Sequence, residues 1–100
     1  MALATDEMML LQLPTDEMIL TELRDGRNLG ANIADEIGRH KKTVTKRLNQ
    51  LEDYGLVNNI GRGVYELTES GRIALDHIDK YDRSSNELED TIERKLTDES

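Results

Sequence analysis

Cysteine is absent from this chain, so neither a disulfide framework nor thiolate chemistry is available to it, a composition that fits a reducing interior. Phenylalanine and tryptophan are absent too, and three tyrosines supply all the aromatic rings, which leaves no aromatic cage for a small-molecule effector. The two histidines, His40 and His77, fall in different predicted elements, and no glycine-rich loop follows a strand to cradle a phosphate. Catalytic, metal-binding and cofactor-binding residues are therefore not expected, and the chain reads as something other than an enzyme. Asp76, His77, Asp79 and Asp82 gather on one helical stretch, but alternation with Lys80 and Arg83 makes them more simply a solvated face than a metal site. No apolar run approaches the ~20 residues of a membrane-spanning helix, and the N-terminus lacks the basic-then-apolar layout of a secretory signal. A cytoplasmic chain with no membrane partner is expected. At 100 residues there is room for one small domain, or one domain plus an appended helix, whose core alone stabilises modestly, so oligomerisation would help.

Positive charge is scarce as well. Thirteen Lys and Arg against 21 Asp and Glu give a net charge of −8, a sign that ordinarily repels nucleic acid. The bases are not spread evenly, however. Residues 38–50 contain Arg39, Lys41, Lys42, Lys46 and Arg47 and no acid, while every segment on either side is net acidic. Such a run can be merely the solvated face of a helix, but a solvated face in this chain is expected to be mixed or acidic like the rest. The acid excess, with few lysines and no Phe or Trp, also suits adaptation to very high intracellular salt, the alternative being an ordinary acidic protein. In molar salt the Debye length falls to about 3 Å, which weakens long-range attraction to phosphate and counterion release alike.

The basic block lies inside a helix-turn-helix pattern. Ile33, Ala34 and Ile37 share one face of a short helix, Gly38 supplies the positive φ that ends it, and Val44, Leu48 and Leu51 form a stripe on the next. Opposite that stripe stand Lys42, Thr45, Lys46 and Asn49, flanked by Arg39, Lys41, Thr43 and Arg47. This cationic, donor-rich edge has the chemistry a DNA groove requires, with the first four residues nearest the bases and the flanking ones on the backbone. His40 stands where a helix cap would, with a phosphate contact as the other possibility. The spacing predicts a positioning helix over 31–37 and a reading helix over 41 to about 54, closed by Gly55.

Before this motif, Thr5-Asp6-Glu7-Met8 is echoed by Thr15-Asp16-Glu17-Met18. Each threonine is a good N-cap and each acid pair suits a first helical turn. A short helix over about 5–12 and a firm one over about 15–25 are predicted, parted by Pro14 as starter or breaker, with Met18, Ile19 and Leu23 turned inward. The Asn28-Leu29-Gly30 stretch reads as extended. After the motif, two β-leaning runs, 57–60 and 64–67, flank Gly61-Arg62-Gly63, which reads as a tight hairpin. A hairpin beside a helix-turn-helix is a wing, and Arg62 at its tip suits a minor groove or a phosphate, or is simply a solvated loop cation.

Taken together, Ile33-Ala34-Asp35-Glu36-Ile37-Gly38-Arg39-His40, then Val44, Arg47-Leu48 and Leu51, then Tyr54-Gly55-Leu56-Val57, Gly61-Arg62-Gly63-Val64-Tyr65-Glu66-Leu67-Thr68 and Gly71-Arg72 resemble the winged-helix regulators of halophilic archaea. They are similar to the repressor of the archaeal phage phi-H and, more distantly, to the MarR group. The resemblance covers roughly residues 15–75. It implies sequence-specific binding of double-stranded DNA, commonly as a homodimer, with transcriptional repression as the usual outcome.

Beyond the wing, Thr68 reads as an N-cap, and Ala74, Leu75, Ile78 and Tyr81 give an apolar helical face. Ser84 with Glu87 has the form of a capping box and predicts a new helix near 85–97. Its stripe of Leu88, Ile92 and Leu96 is too narrow to hold a helix down alone, so it packs on a second chain, the preferred reading, or frays as an acidic tail. An unbroken helix would instead align Ala74, Ile78, Tyr81, Ser85, Leu88 and Ile92 as a coiled-coil seam.

The expectation is a mainly α fold with a small β-hairpin: a winged helix-turn-helix with a three-helix core and a C-terminal helical extension. Residues 1–14 would form an N-terminal arm or short helix, 15–82 the DNA-binding domain, and 83–100 an acidic helix or tail that dimerises. Its DNA-contacting residues are Arg39, His40, Lys41, Lys42, Thr43, Thr45, Lys46, Arg47, Asn49 and Arg62. The rival reading is a winged-helix module that binds a protein partner and no DNA.

Overall fold

In the computed structural model, which describes residues 9–98, Pro14 begins the first helix, its carbonyl accepting from Met18 N–H. The elements run α1 (Thr15–Arg24), β1 (Asn28–Leu29), α2 (Gly30–Ile37), α3 (Lys41–Asp53), β2 (Val57–Gly61), β3 (Val64–Leu67), α4 (Glu69–Asp76), a 3₁₀ turn (Ile78–Lys80) and α5 (Glu87–Asp98). Thr15 is the first residue of α1 rather than its cap, and no side chain caps that end. Helix α1 buries Ile19, Leu20 and Leu23, while Met18 is only half-buried.

Helix α2 ends as its sequence dictates. Gly38 takes φ 68°, and its N–H and that of Arg39 fold back onto the Asp35 and Ala34 carbonyls. Val44, Leu48 and Leu51 of α3 are fully buried against Ile33 and Ala34, which fixes the crossing of the two helices. A buried glycine opens α2 because a Cβ on Gly30 would stand 3.3 Å from Leu48 Cδ1 and 3.8 Å from Tyr65 Cε1.

The sheet is antiparallel with order β1-β3-β2. The wing hairpin turns through Gly61, Arg62 and Gly63, all at positive φ, with Arg62 at 55°. Flanking glycines carry most of that turn, so a single non-glycine residue sits left-handed at the tip. Thr68 then caps α4 as predicted: its Oγ1 accepts from Gly71 N–H (2.9 Å) and donates to the Gly55 carbonyl (2.6 Å), pinning α4 to the end of α3.

Three expectations change at the chain ends. Residues 5–8 of the predicted first helix lie outside the described residues, and 9–12 are extended. Met9 and Leu11 point inward and Leu10 and Gln12 outward, a two-residue alternation that a helix cannot provide. Each backbone N–H in this strap meets a side chain: Met9 donates to Glu89 Oε2 (2.8 Å), Leu10 to Tyr54 Oη (3.0 Å), Leu11 to Tyr81 Oη (2.9 Å) and Gln12 to Asp16 Oδ2 (2.8 Å). Three of those acceptors come from α5, the end of α3 and the segment after the 3₁₀ turn, so tertiary bonds replace intrahelical ones there, while Gln12 and Asp16 bond each other locally at the start of α1.

The second change concerns the C-terminal stripe. Leu88 and Ile92 are buried within their own chain, with Leu96 half-buried, so the stripe is spent on α4 and the shared core instead of forming a seam with a second copy or fraying. One apolar cluster runs from Met9 to Ile92 without a break at residue 82. Third, the helix does break before α5, which rules out the continuous seam, yet the Ser84–Glu87 capping box does not form. Ser84 Oγ donates to Asp82 Oδ1 (2.7 Å), while Glu87 N–H turns to Ser85 Oγ (3.4 Å).

Candidate nucleic-acid interface

The exposed edge of α3 arises from simple helical bookkeeping. Val44, Leu48 and Leu51 take the buried stripe, and Lys42, Thr45, Lys46 and Asn49 are left on the opposite side in solvent. His40, Lys41, Lys42, Thr45, Lys46 and Asn49 line one shallow, open groove of about 560 Å³ along this edge. His40 occupies the N-cap position with extended backbone, but its side chain makes no capping bond. Its carbonyl, not its ring, starts the helix by accepting from Val44 N–H. Thr43 is exposed in the first turn. Arg39, at the corner between α2 and α3, lies back across α1, with Nε donating to Thr15 Oγ1 (3.4 Å) and Nη2 toward Met18 Sδ (3.9 Å), while remaining exposed. Arg62 is exposed at the wing tip.

Arg47 does not belong with the others. It is 6% exposed and grips the fully buried Asp16 of α1 with two parallel bonds, Nε to Oδ1 (2.9 Å) and Nη2 to Oδ2 (2.8 Å). A further bond runs from Nη2 to the Leu10 carbonyl (3.3 Å). The Asp16 hydrogen bonds hold the guanidinium above its ordinary pKa, outweighing the burial that acts in the other direction, so it stays charged. The assignment of Arg47 to the DNA backbone is thus corrected: the side chain is committed to the core. Position 47 is three after Val44 and four before Leu51, on the buried stripe itself, and that spacing was the available signal. Asp16, placed in a first turn for its favourable dipole, turns out to be the buried counter-charge 31 residues away.

Two contacts join the reading helix to the wing. Glu52 Oε2 accepts from Asn59 N–H of β2 (3.1 Å), and Tyr65 Oη of β3 donates to Asn49 Oδ1 (3.4 Å). Sequence patterns gave no hint of either, since β-strand and helix are brought together only by the packing of α3 on the sheet. Of the acids on the 76–82 stretch, Asp76 pairs with Arg24 and Asp82 accepts from Ser84. No helix of the described residues is long and apolar enough to cross a membrane.

The fold agrees with that of known proteins. The chain is similar in structure to wild-type ZitR from Lactococcus lactis, with a TM-score of 0.59 and 23% identity, over 99% of this chain and 81% of that one. That likeness supports the fold: a mainly helical winged helix-turn-helix with a three-stranded antiparallel sheet. A comparison of the sequence with curated proteins finds no match. A family model does match, that of the methanogenesis regulatory protein FilR1, N-terminal domain, over residues 10–93. This span takes in α1, both helices of the helix-turn-helix, the wing and α4, and most of α5. The chain therefore belongs to the family of the FilR1 N-terminal domain and is a DNA-binding transcriptional regulator of the winged-helix type.

Proposed function

We propose that the protein is a sequence-specific, homodimeric repressor that lays α3 in the major groove of double-stranded DNA and the wing in the flanking minor groove. The observation that carries this reading is the exposed row of Lys42, Thr45, Lys46 and Asn49 on a chain whose net charge is −8. These four side chains meet base edges. Arg39, His40, Lys41 and Thr43 meet the phosphate backbone, and Arg62 enters the minor groove. With Arg47 neutralised by Asp16, the exposed cations of the reading segment are Arg39, Lys41, Lys42 and Lys46. Two copies with reading helices about one DNA turn apart, ~34 Å, match a palindromic site. Since the α5 stripe is buried in its own chain, the dimer uses a different surface.

The acidic remainder of the molecule suits a cytoplasm of high salt, in keeping with the halophilic phage phi-H type of repressor. Glu36 and Asp53 are exposed, whereas Glu52 is engaged by the wing. Cations taken up beside such acids offset counterion release, so affinity falls only shallowly with salt. Selection of bound duplexes from genomic fragments at modest and molar potassium chloride tests the whole reading. In that assay Lys46→Ala costs about 1–3 kcal/mol at the selected site if Lys46 reads guanine, and weakens all duplexes alike if it meets phosphate. Equal binding of mutant and parent to every duplex removes Lys46 from the interface, and a salt slope as steep as that of basic repressors contradicts the high-salt reading.

A further inference from the structure

We propose that Tyr65, in the wing sheet, sets what Asn49 of the reading helix recognises, by holding its carboxamide oxygen and turning its N–H edge toward the groove. This inference rests on the proposed entry of α3 into duplex DNA. Tyr65 lies on the central strand, paired with Asn28 on one side and Asn59 on the other, and is only 5% exposed. Its ring borders the start of α2, where a Cβ on Gly30 would stand 3.8 Å from Cε1, so the ring is fixed from sheet and helix together. From this anchored ring the hydroxyl reaches Asn49 Oδ1 at 3.4 Å and makes no other hydrogen bond among the described residues. A buried tyrosine hydroxyl normally finds a partner, and here the partner is a residue of the exposed reading edge.

An asparagine side chain carries one acceptor oxygen and two N–H donors. Left to rotate, it reads adenine with both ends, the oxygen accepting from N6 and the nitrogen donating to N7. With Tyr65 donating to one of the oxygen's two lone pairs, the oxygen end is drawn toward the sheet and the amide nitrogen, with its two donors, is the end turned to the groove. That edge complements the O6 and N7 acceptors of guanine. It meets the exocyclic amino groups of adenine and cytosine donor against donor. Asn49 thereby becomes a fixed donor beside Thr45 and Lys46, and Tyr65, which itself touches no base, is a positioning residue for specificity.

The test compares the parent, Tyr65→Phe, Asn49→Ala and the double variant on a duplex pool with a randomised core, followed by affinities for the selected duplex and its single-base variants. Tyr65→Phe keeps the ring, and circular dichroism checks that the fold is intact. The parent is expected to prefer guanine at one base pair by about five- to tenfold, the lower part of the range for a good base contact. Tyr65→Phe should bind yet lose that preference and admit adenine, Asn49→Ala should also lose it, and the double variant should match Asn49→Ala. A Tyr65→Phe protein that keeps the parental preference overturns the proposal. So does one that weakens all duplexes equally and adds to Asn49→Ala, since Tyr65 would then be structural only; either result leaves the DNA-binding reading intact. A parent that selects no duplex overturns both.

Discussion

Removing Arg47 while keeping Asp16 leaves a carboxylate with no solvent exposure and no counter-charge. Asp16 is 0% exposed and loses two charge-assisted bonds, retaining only the Gln12 N–H at 2.8 Å. Breaking a buried pair from one side costs about 3–5 kcal/mol, so Arg47→Met should lose about 4 kcal/mol. For a domain of this size that lowers Tm by about 15–30 °C, a large part of the ~5–15 kcal/mol a small domain possesses. Asp16→Leu combined with Arg47→Met replaces the pair by apolar groups and should return to within about 1 kcal/mol of the parent, because the desolvation of both charges disappears with their attraction. Urea titrations of the parent, Asp16→Leu, Arg47→Met and the double variant measure the cycle, and affinity for a selected duplex is read on the same samples. The double variant should bind DNA as the parent does, since neither residue reaches the surface. If Arg47→Met unfolds like the parent while every duplex binds it more weakly, the side chain serves phosphate after all and the packing argument is refuted.

Gly71→Ala should destabilise strongly, by about 3 kcal/mol, the upper end of the overpacking range, because the added Cβ collides with the Leu56 carbonyl oxygen and comes 2.7 Å from Leu67 Cδ1. A urea midpoint unchanged from the parent would show that α4 is not pressed on the Leu56 backbone. Thr68→Ala removes both the cap of α4 and its bond to the Gly55 carbonyl and should cost about 1–2 kcal/mol; Thr68→Ser, which keeps the hydroxyl, should restore most of it. At Asp82 the Ser84 N–H and hydroxyl hold the carboxyl below the ordinary aspartate range. Its contribution to stability is therefore present above that range and lost as the pH falls through it. The gap between parent and Asp82→Ala in thermal denaturation should narrow below about pH 4, and a gap that widens in acid would reverse the assigned direction.

What the residues settled by themselves is the local grammar. Apolar spacing at 33, 34 and 37 and at 44, 48 and 51 is enough to place two helices, because periodicity records which side faces away from water. Gly38, Gly61 and Gly63 mark turns because few other residues tolerate their φ values. Thr68 marks the start of α4 because its hydroxyl satisfies an end the helix leaves open. Charge counting located the exposed basic edge, since the acids around it are independent of how the chain folds.

Tertiary structure decided everything that depends on a partner distant in sequence. Arg47 reads as one more cation of the block until Asp16 is found opposite it, and a buried charge is tolerable only with such a partner. Residues 9–12 follow the Thr5-Asp6-Glu7 capping signal, yet side chains of Glu89, Tyr54, Tyr81 and Asp16 claim their N–H groups and hold them out of a helix. The Leu88 and Ile92 stripe is apolar in any reading, and only the fold of the chain shows that its own α4 covers it. Periodicity tells that a side chain is covered; packing alone tells by what.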